Sequence, residues 1–542
     1  MLPPVSIDGI RGGMEGLAPH RLVSTLEDRF RDLEIDFHSA YWDSQVAATA
    51  ENDHRRAELE LALRKMKGDA ESLQAVQAAL QEDLHEPVLR RQLEVLRFSL
   101  TANRMDDDVR EELVKLSSSV ESDFASHRPF VKGERMNDNE ITEILRASDD
   151  ESMRRSAWAA SKEIGKLVAP RIRELARLRN AVALGLGYSD YYSMALDLQE
   201  LDQEWLSAIL AEVDRMTEGP FFKYKDALDE RLRTRFGVTD PSPWHYADPF
   251  FQMLPPEGRI TLDAAFAGAS AADLALRTFA AWGIDLEGVM EASDLFPREN
   301  KSQHAFCLDV DRSGADVRIL ANVVPGERWV EVMLHESGHA AFDVSIDPGL
   351  PYLLRRPSHI FVTEAIALLS GSLARDPRWL VDVAGLPISD VARAADQLRS
   401  AEAAQRLVFA RWALVVINFE RALYLDPDAD LDARWWELVE RFQGISAPEG
   451  RAAPDWAAKV HVAAAPVYYQ NYLLGDLLAS QLRGACERDC GGLVGVPAAG
   501  ELLRERVFKH GSVMRWDGLV EAATGEPLSA RAFADELILA TV

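Results

Sequence analysis

Three cysteines in 542 residues, Cys307, Cys486 and Cys490, are too few for a disulfide framework and show no four-cysteine metal pattern. They read as free thiols in a reducing compartment. No apolar run approaches the roughly 20 residues that cross a bilayer. The stretch Met1 to Leu22 carries Pro3, Pro4 and four glycines but no apolar core of the signal-peptide kind, so a cytoplasmic location is the expectation. Positive charge is also in short supply. The 60 Lys and Arg against 88 Asp and Glu leave a formal net charge of -28, which repels phosphate backbones and anionic lipid. Neither nucleic acid nor membrane is expected as a partner; a solvated acidic surface is the simplest meaning, and an attraction for cationic peptides a second. Fixed repeats and low-complexity tracts are missing too, which argues against a repeat array.

What the chain does have is helical periodicity. From Leu22 to about Leu184 apolar residues recur at three- and four-residue spacing, as in Leu89, Leu93, Leu96 and Leu100. Arg128-Pro129 and Lys132-Gly133 mark a loop, and Asn137-Asp138-Asn139 a helix start. The segment Arg179 to Tyr192 reads as a helix stopped by a glycine-rich turn. Val238 to Gly258, with five prolines, is the best candidate for a crossing between two lobes, and His245 within it reads as an ordinary partly buried histidine. Helices return from Pro387 to the end. One interruption stands out: His304 to Val310 and Asp316 to Val324, flanking Arg312-Ser313-Gly314, read as a β-hairpin whose edge can accept an extended peptide.

The chemistry is concentrated just after that hairpin, in His335-Glu336-Ser337-Gly338-His339. On a helix, residues four apart share a face, so His335 and His339 can hold one metal ion with Glu336 beside it. This is the HExxH pattern of zinc hydrolases, in which two imidazoles bind the metal and the carboxylate takes a proton from water. Pro325-Gly326 and Glu327 supply the helix start. Gly338 costs roughly 1 kcal/mol against Ala inside a helix, a cost that leaves room for a substrate or a second helix. Pro357-Ser358 is expected to cap a following apolar helix in which Glu364 is the single acid, and a buried carboxylate there needs a partner such as the metal. Farther on, His461 and the tyrosines Tyr468, Tyr469 and Tyr472 can donate hydrogen bonds to an oxyanion.

With these residues in place, the chain resembles the glutamate-liganded zinc peptidases called gluzincins. More narrowly it resembles the angiotensin-converting enzyme family, with the thimet oligopeptidase and oligoendopeptidase F family as a close relative. His304-Ala305 matches a substrate-backbone pair, and Lys459 with His461 matches a Lys-x-His whose lysine grips the substrate's C-terminal carboxylate and whose histidine stabilises the transition state. Tyr469 and Tyr472 match a Tyr-x-x-Tyr in which the second tyrosine serves the oxyanion, although an added residue between His461 and Tyr472 leaves the assignment among Tyr468, Tyr469 and Tyr472 open. Asn471 replaces an arginine tied to chloride activation.

The resemblance implies a mainly α, two-lobed fold around a deep substrate groove, with one small antiparallel sheet beside the HExxH helix. It implies a single peptidase domain over 1–542, with an N-terminal helical lobe over 1–245 and a catalytic lobe over 246–542. One zinc per chain is expected on His335, His339 and Glu364, with Glu336, His461 and Tyr472 as catalytic groups and His304, Ala305, Lys459, Tyr468 and Tyr469 binding substrate. The activity implied is release of dipeptides from the C-terminus of oligopeptides. An oligoendopeptidase is the alternative, and a zinc-containing protein that binds peptides without cutting them is the last. Against that last reading, a structural zinc site has no use for Glu336.

Overall fold

Apolar stripes at helical spacing do fold as helices almost throughout. The computed structural model describes residue 14, residues 16–254 and residues 261–541; most of the proline- and glycine-marked start and the residues 255–258 of the proposed crossing lie outside these. Helices from Pro19–Val46 to Arg531–Thr541 make up most of the described chain. Strands are confined to two antiparallel hairpins. No helix among the described residues is long and apolar enough to cross a membrane.

The expected hairpin is present but shorter. Phe306–Asp309 pairs with Val317–Leu320 in the register Phe306 to Leu320 and Asp309 to Val317. His304 and Ala305 precede the strand, and the chain after Leu320 leaves the pairing to run along residues 294 and 295, where Ala321 N donates to Asp294 O at 2.9 Å and Val323 N to Leu295 O at 2.8 Å. A second ladder of two residues a side, Phe130–Val131 with Glu134–Arg135, forms where the sequence reads as a loop. Lys132 and Gly133 both take positive φ, 49° and 93°, the backbone of a tight two-residue hairpin turn. Asn137 does start a helix, in a reciprocal capping box with Glu140.

One apolar core runs from Val120 to Leu537, while Pro19–Val46, Ala70–Leu80 and Pro87–Asn103 share a separate core that is joined by Tyr352 and Leu353. The larger core contains the layer that matters for the site. The HExxH helix, Glu327–Asp343, packs on Ile360–Gly371, which packs in turn on Gln470–Cys490. Phe361 through Ala367 of the middle helix are all buried, so it is apolar all round, as a core helix must be.

Two glycines set the spacing of these three helices. A Cβ at Gly338 would stand 2.9 Å from Ala367 Cα and 3.0 Å from Ile366 O, and one at Gly475 would stand 3.1 Å from Glu364 Cβ. Gly338 therefore admits a second helix. Gly338→Ala gains helix propensity but forces backbone apart, and overpacking of this kind costs roughly 1–3 kcal/mol. The variant is expected to unfold at lower denaturant and to bind zinc more weakly, because the displaced helix carries Glu364; unchanged values in both measurements would contradict the packing argument.

Candidate metal centre

The HExxH helix begins where Gly326, at φ 138°, turns the chain and Asp263 Oδ1 accepts the Glu327 N–H at 2.9 Å. Glu327 does more than complement the helix dipole. Its buried carboxylate pairs with Arg375 and accepts the Leu262 N–H at 3.1 Å, anchoring the first turn. The middle helix starts at Ile360, one residue later than a Pro357-Ser358 cap implies. His359 is the cap, its Nδ1 accepting the Phe361 N–H at 3.1 Å.

These two helices bring His335, His339 and Glu364 together, with one ligand atom from each lying within 4.8 Å of the others. The imidazoles stand nearly perpendicular, at 82°, and His335 Nε2 is 3.9 Å from Glu364 Oε2. Thr363 Oγ1 lies 2.7 Å from His339 Nδ1. With the proton on Nδ1 donated to Thr363, the Nε2 lone pair is free for a metal. Burial pushes His335 down to about 4 and His339, with His335 adding to the effect, down to about 3. Both rings are then neutral, which is the form that binds metal. Burial pushes Glu364 up to about 7, opposed by the Tyr468 hydroxyl in hydrogen-bonding range. Two neutral imidazoles and a buried carboxylate with no lysine or arginine beside it make a donor set that fits one zinc ion.

Glu336 is only 7% exposed, and burial, with repulsion from Glu364, raises it to about 8. A carboxyl held near neutrality is suited to take up and release a proton.

Around this centre lies a cavity of about 890 Å³. His335, Glu336, His339, Glu364, Ala305 and Tyr472 all line it. The strand Phe306–Asp309, paired on one side only, runs along its wall. Charged residues in its lining include Glu402, Arg406 and Glu536, and also Asp309, Arg312, Asp343 and Arg356.

The remaining candidates, His304, Lys459, His461, Tyr468 and Tyr469, are not among its lining residues. Lys459 is buried, and its Nζ donates to Gln252 Oε1 at 2.8 Å while lying 5.6 Å from the Tyr469 ring. Burial, opposed by Asp248, brings Lys459 down to about 8. Tyr469 accepts the Trp412 indole N–H at 2.7 Å. His461 lies 5.5 Å from the Tyr469 ring, and its Nδ1 is buried without a partner. Burial, with help from Lys459 and exposed His304, lowers it to about 4. Tyr468 stands at Glu364. His245 is fully buried, its Nδ1 accepting the Ser242 N–H.

Several supporting residues carry no local signal in the sequence. Arg179 donates to Ala463 O at 3.0 Å and Asn180 to Tyr424 O at 2.8 Å, so the helix end that reads only as a stop braces the turn bearing His461. Val467 adopts φ 53°, rare for a β-branched residue. Glu420 accepts its N–H at 2.8 Å, and Gln199 and Gln470 donate to its carbonyl at 3.0 and 2.7 Å. That clamp aims Tyr468 and Tyr469. Asn471 is buried and donates to Gln199 at 3.0 Å.

Comparison with known families divides the chain in two. Residues 17–220 match the angiotensin-converting enzyme family of peptidases, and residues 292–539, which hold the whole metal centre, match peptidase family M3. No curated protein gives a significant match. Both families are zinc-dependent metallopeptidases.

The Thr363 contact can be tested on metal binding alone. Thr363→Val is expected to weaken zinc affinity about 10- to 100-fold in competition against a chromogenic chelator, with Thr363→Ser close to wild type. Equal affinities for all three would remove Thr363 from the site.

Proposed function

We propose that the chain, an angiotensin-converting-enzyme-like zinc metallopeptidase related to family M3, releases dipeptides from the free C-terminus of oligopeptides. In this reading one zinc is held by His335, His339 and Glu364. When bound there, zinc acidifies a water and polarises the scissile carbonyl. Glu336 accepts the proton of the attacking water and delivers it to the leaving amine. His461, kept neutral by burial, and Tyr472 donate hydrogen bonds to the tetrahedral oxyanion. His304, Ala305 and the free strand edge align the substrate backbone. Lys459, with Tyr469 beside it, holds the substrate's C-terminal carboxylate, while Tyr468 serves Glu364.

The observation that carries the dipeptidase reading is Lys459, a buried ammonium fixed by Gln252 at hydrogen-bond distance. Buried Asp248 acts on it only through space, its carboxylate accepting the Phe250, Gln252 and Met253 N–H groups, so a bonded anion is still to be supplied, and a peptide's C-terminal carboxylate is the anion a peptidase meets. The second reading, an oligoendopeptidase, is favoured by the M3 match over residues 292–539. We place both lobes, 1–245 and 246–542, in one peptidase domain over 1–542. Three unpaired cysteines support a cytoplasmic setting.

A fragment map separates the two readings. One peptide is supplied to zinc-loaded protein as free acid and as C-terminal amide, with Glu336→Ala as control. Dipeptides from the free acid only are expected, and Glu336→Ala should retain zinc while losing nearly all cleavage. Internal cuts in both forms would establish the oligoendopeptidase.

A pH profile tests Lys459 separately. Lys459 is charged below about pH 8 and loses its proton above it. The ratio of kcat/KM for the free acid over the amide should therefore fall as pH rises through about 8, since taking the ratio cancels the titration of Glu336. A ratio that does not change with pH would retire the carboxylate site.

A further inference from the structure

The cavity end at the C-terminal turn of the HExxH helix carries charge that the reaction above does not use. Asp343 lies one turn beyond His339, about 6 Å farther along the helix axis, and lines the cavity together with Asp309 of the hairpin strand. Asp309 accepts the Gly314 N–H on Oδ2 at 3.0 Å, while its Oδ1 is buried with no donor. Asp343 is half-buried against the cavity, and its carboxylate has neither a hydrogen bond nor an ion pair among the described residues.

Nearby positive groups do not bond to it. Arg312 reaches Glu34 at 3.1 Å and lies over the Tyr352 ring, and Arg355 donates to Leu350 O at 2.7 Å. Burial, with repulsion from Arg312 and Arg91 and opposed by Glu34 and Glu200, lowers Arg356 to about 10, and His38 contacts Val310 O. None of them reaches Asp343. Burial, with repulsion from Asp309, pushes its carboxyl well above the usual range, and no positive group offsets the shift. A half-buried carboxylate on a cavity wall gains from a cation, and no basic side chain among the described residues bonds to this one.

The direction of a bound peptide says where that cation comes from. Gln252, which fixes Lys459, accepts a hydrogen bond on its carbonyl from Gln405 at 3.2 Å, and Gln405 lines the same cavity as Asp343. In the peptidase reading a peptide has its C-terminal carboxylate at Lys459 and its scissile bond at the candidate metal ligands, which leaves the wall one turn beyond His339 for its upstream residues. Resting on the peptidase reading above, we propose that Asp343, backed by Asp309, forms a specificity subsite for a positively charged nitrogen upstream of the scissile bond. The source is a Lys or Arg side chain, or the α-amine of a short substrate. The net charge of -28 favours the approach of such peptides.

The test uses full-length zinc-loaded protein and peptides that carry Lys or norleucine at each of the two positions before the cut, each with a free or an acetylated N-terminus. Wild type is expected to prefer Lys by about tenfold or more in kcat/KM, the effect of one charge-assisted hydrogen bond, and Asp343→Asn to bring that ratio near one. A preference that tracks the free amine instead of the side chain identifies the chain end as the source. Asp343→Glu should keep the preference and Asp309→Asn weaken it, so the test survives a poorly folding Asn variant. Calorimetry on zinc-loaded Glu336→Gln protein reads binding without cleavage. Tighter binding of the charged peptide that Asp343→Asn abolishes supports the subsite even where wild type cuts nothing, in which case the peptidase reading alone falls. Equal binding and equal kcat/KM for charged and uncharged peptides, or a preference that survives Asp343→Asn, would overturn the proposal.

Discussion

A carboxylate in the middle of an apolar, buried helix is the constraint on which the rest of the site depends. Glu364 is largely buried, has no arginine or lysine beside it, and only the Tyr468 hydroxyl opposes the effect of burial. Two neutral imidazoles stand opposite, held there by the close approach at Gly338. Each of these groups is unfavourable alone, and one divalent cation satisfies all three at once. In the proposed reading stability and function share one requirement, since the metal that would make a water reactive would also compensate the core.

Around that centre the protein uses rigid elements for chemistry and long-range contacts for aim. The ligands and Glu336 ride on packed helices. The groups proposed to serve substrate and metal site, His461, Tyr468 and Tyr469, ride on a short irregular stretch that Arg179, Gln199 and Glu420 hold from distant parts of the chain. The backbone strain at Val467 is the local cost of that arrangement.

How much of this could be read in advance depended on distance along the chain. His335, Glu336 and His339 are set by helical spacing, and Glu364 shows as the lone acid in an apolar run. The hairpin shows in its alternation, although its strands are shorter because the chain turns away to run along residues 294 and 295. The cap of the middle helix was misplaced because Pro357-Ser358 looks like a helix start, while the side chain that makes the bond is His359. Thr363, Gln252 and Arg179 could not be found by any local rule: their partners lie 24, 207 and 284 residues away. Asp343 was equally silent, since on a helix surface an acid is ordinary, and only the folded chain shows that its surroundings leave it without a cation.

The central claim is that His335, His339 and Glu364 form one zinc site. Anomalous diffraction collected on both sides of the zinc absorption edge from crystals of the zinc-loaded protein tests it most directly. The account predicts one strong peak per chain, bonded to an imidazole nitrogen of His335, one of His339 and a carboxylate oxygen of Glu364, at about 2.0–2.2 Å each. A peak elsewhere, or one lacking Glu364, would contradict it.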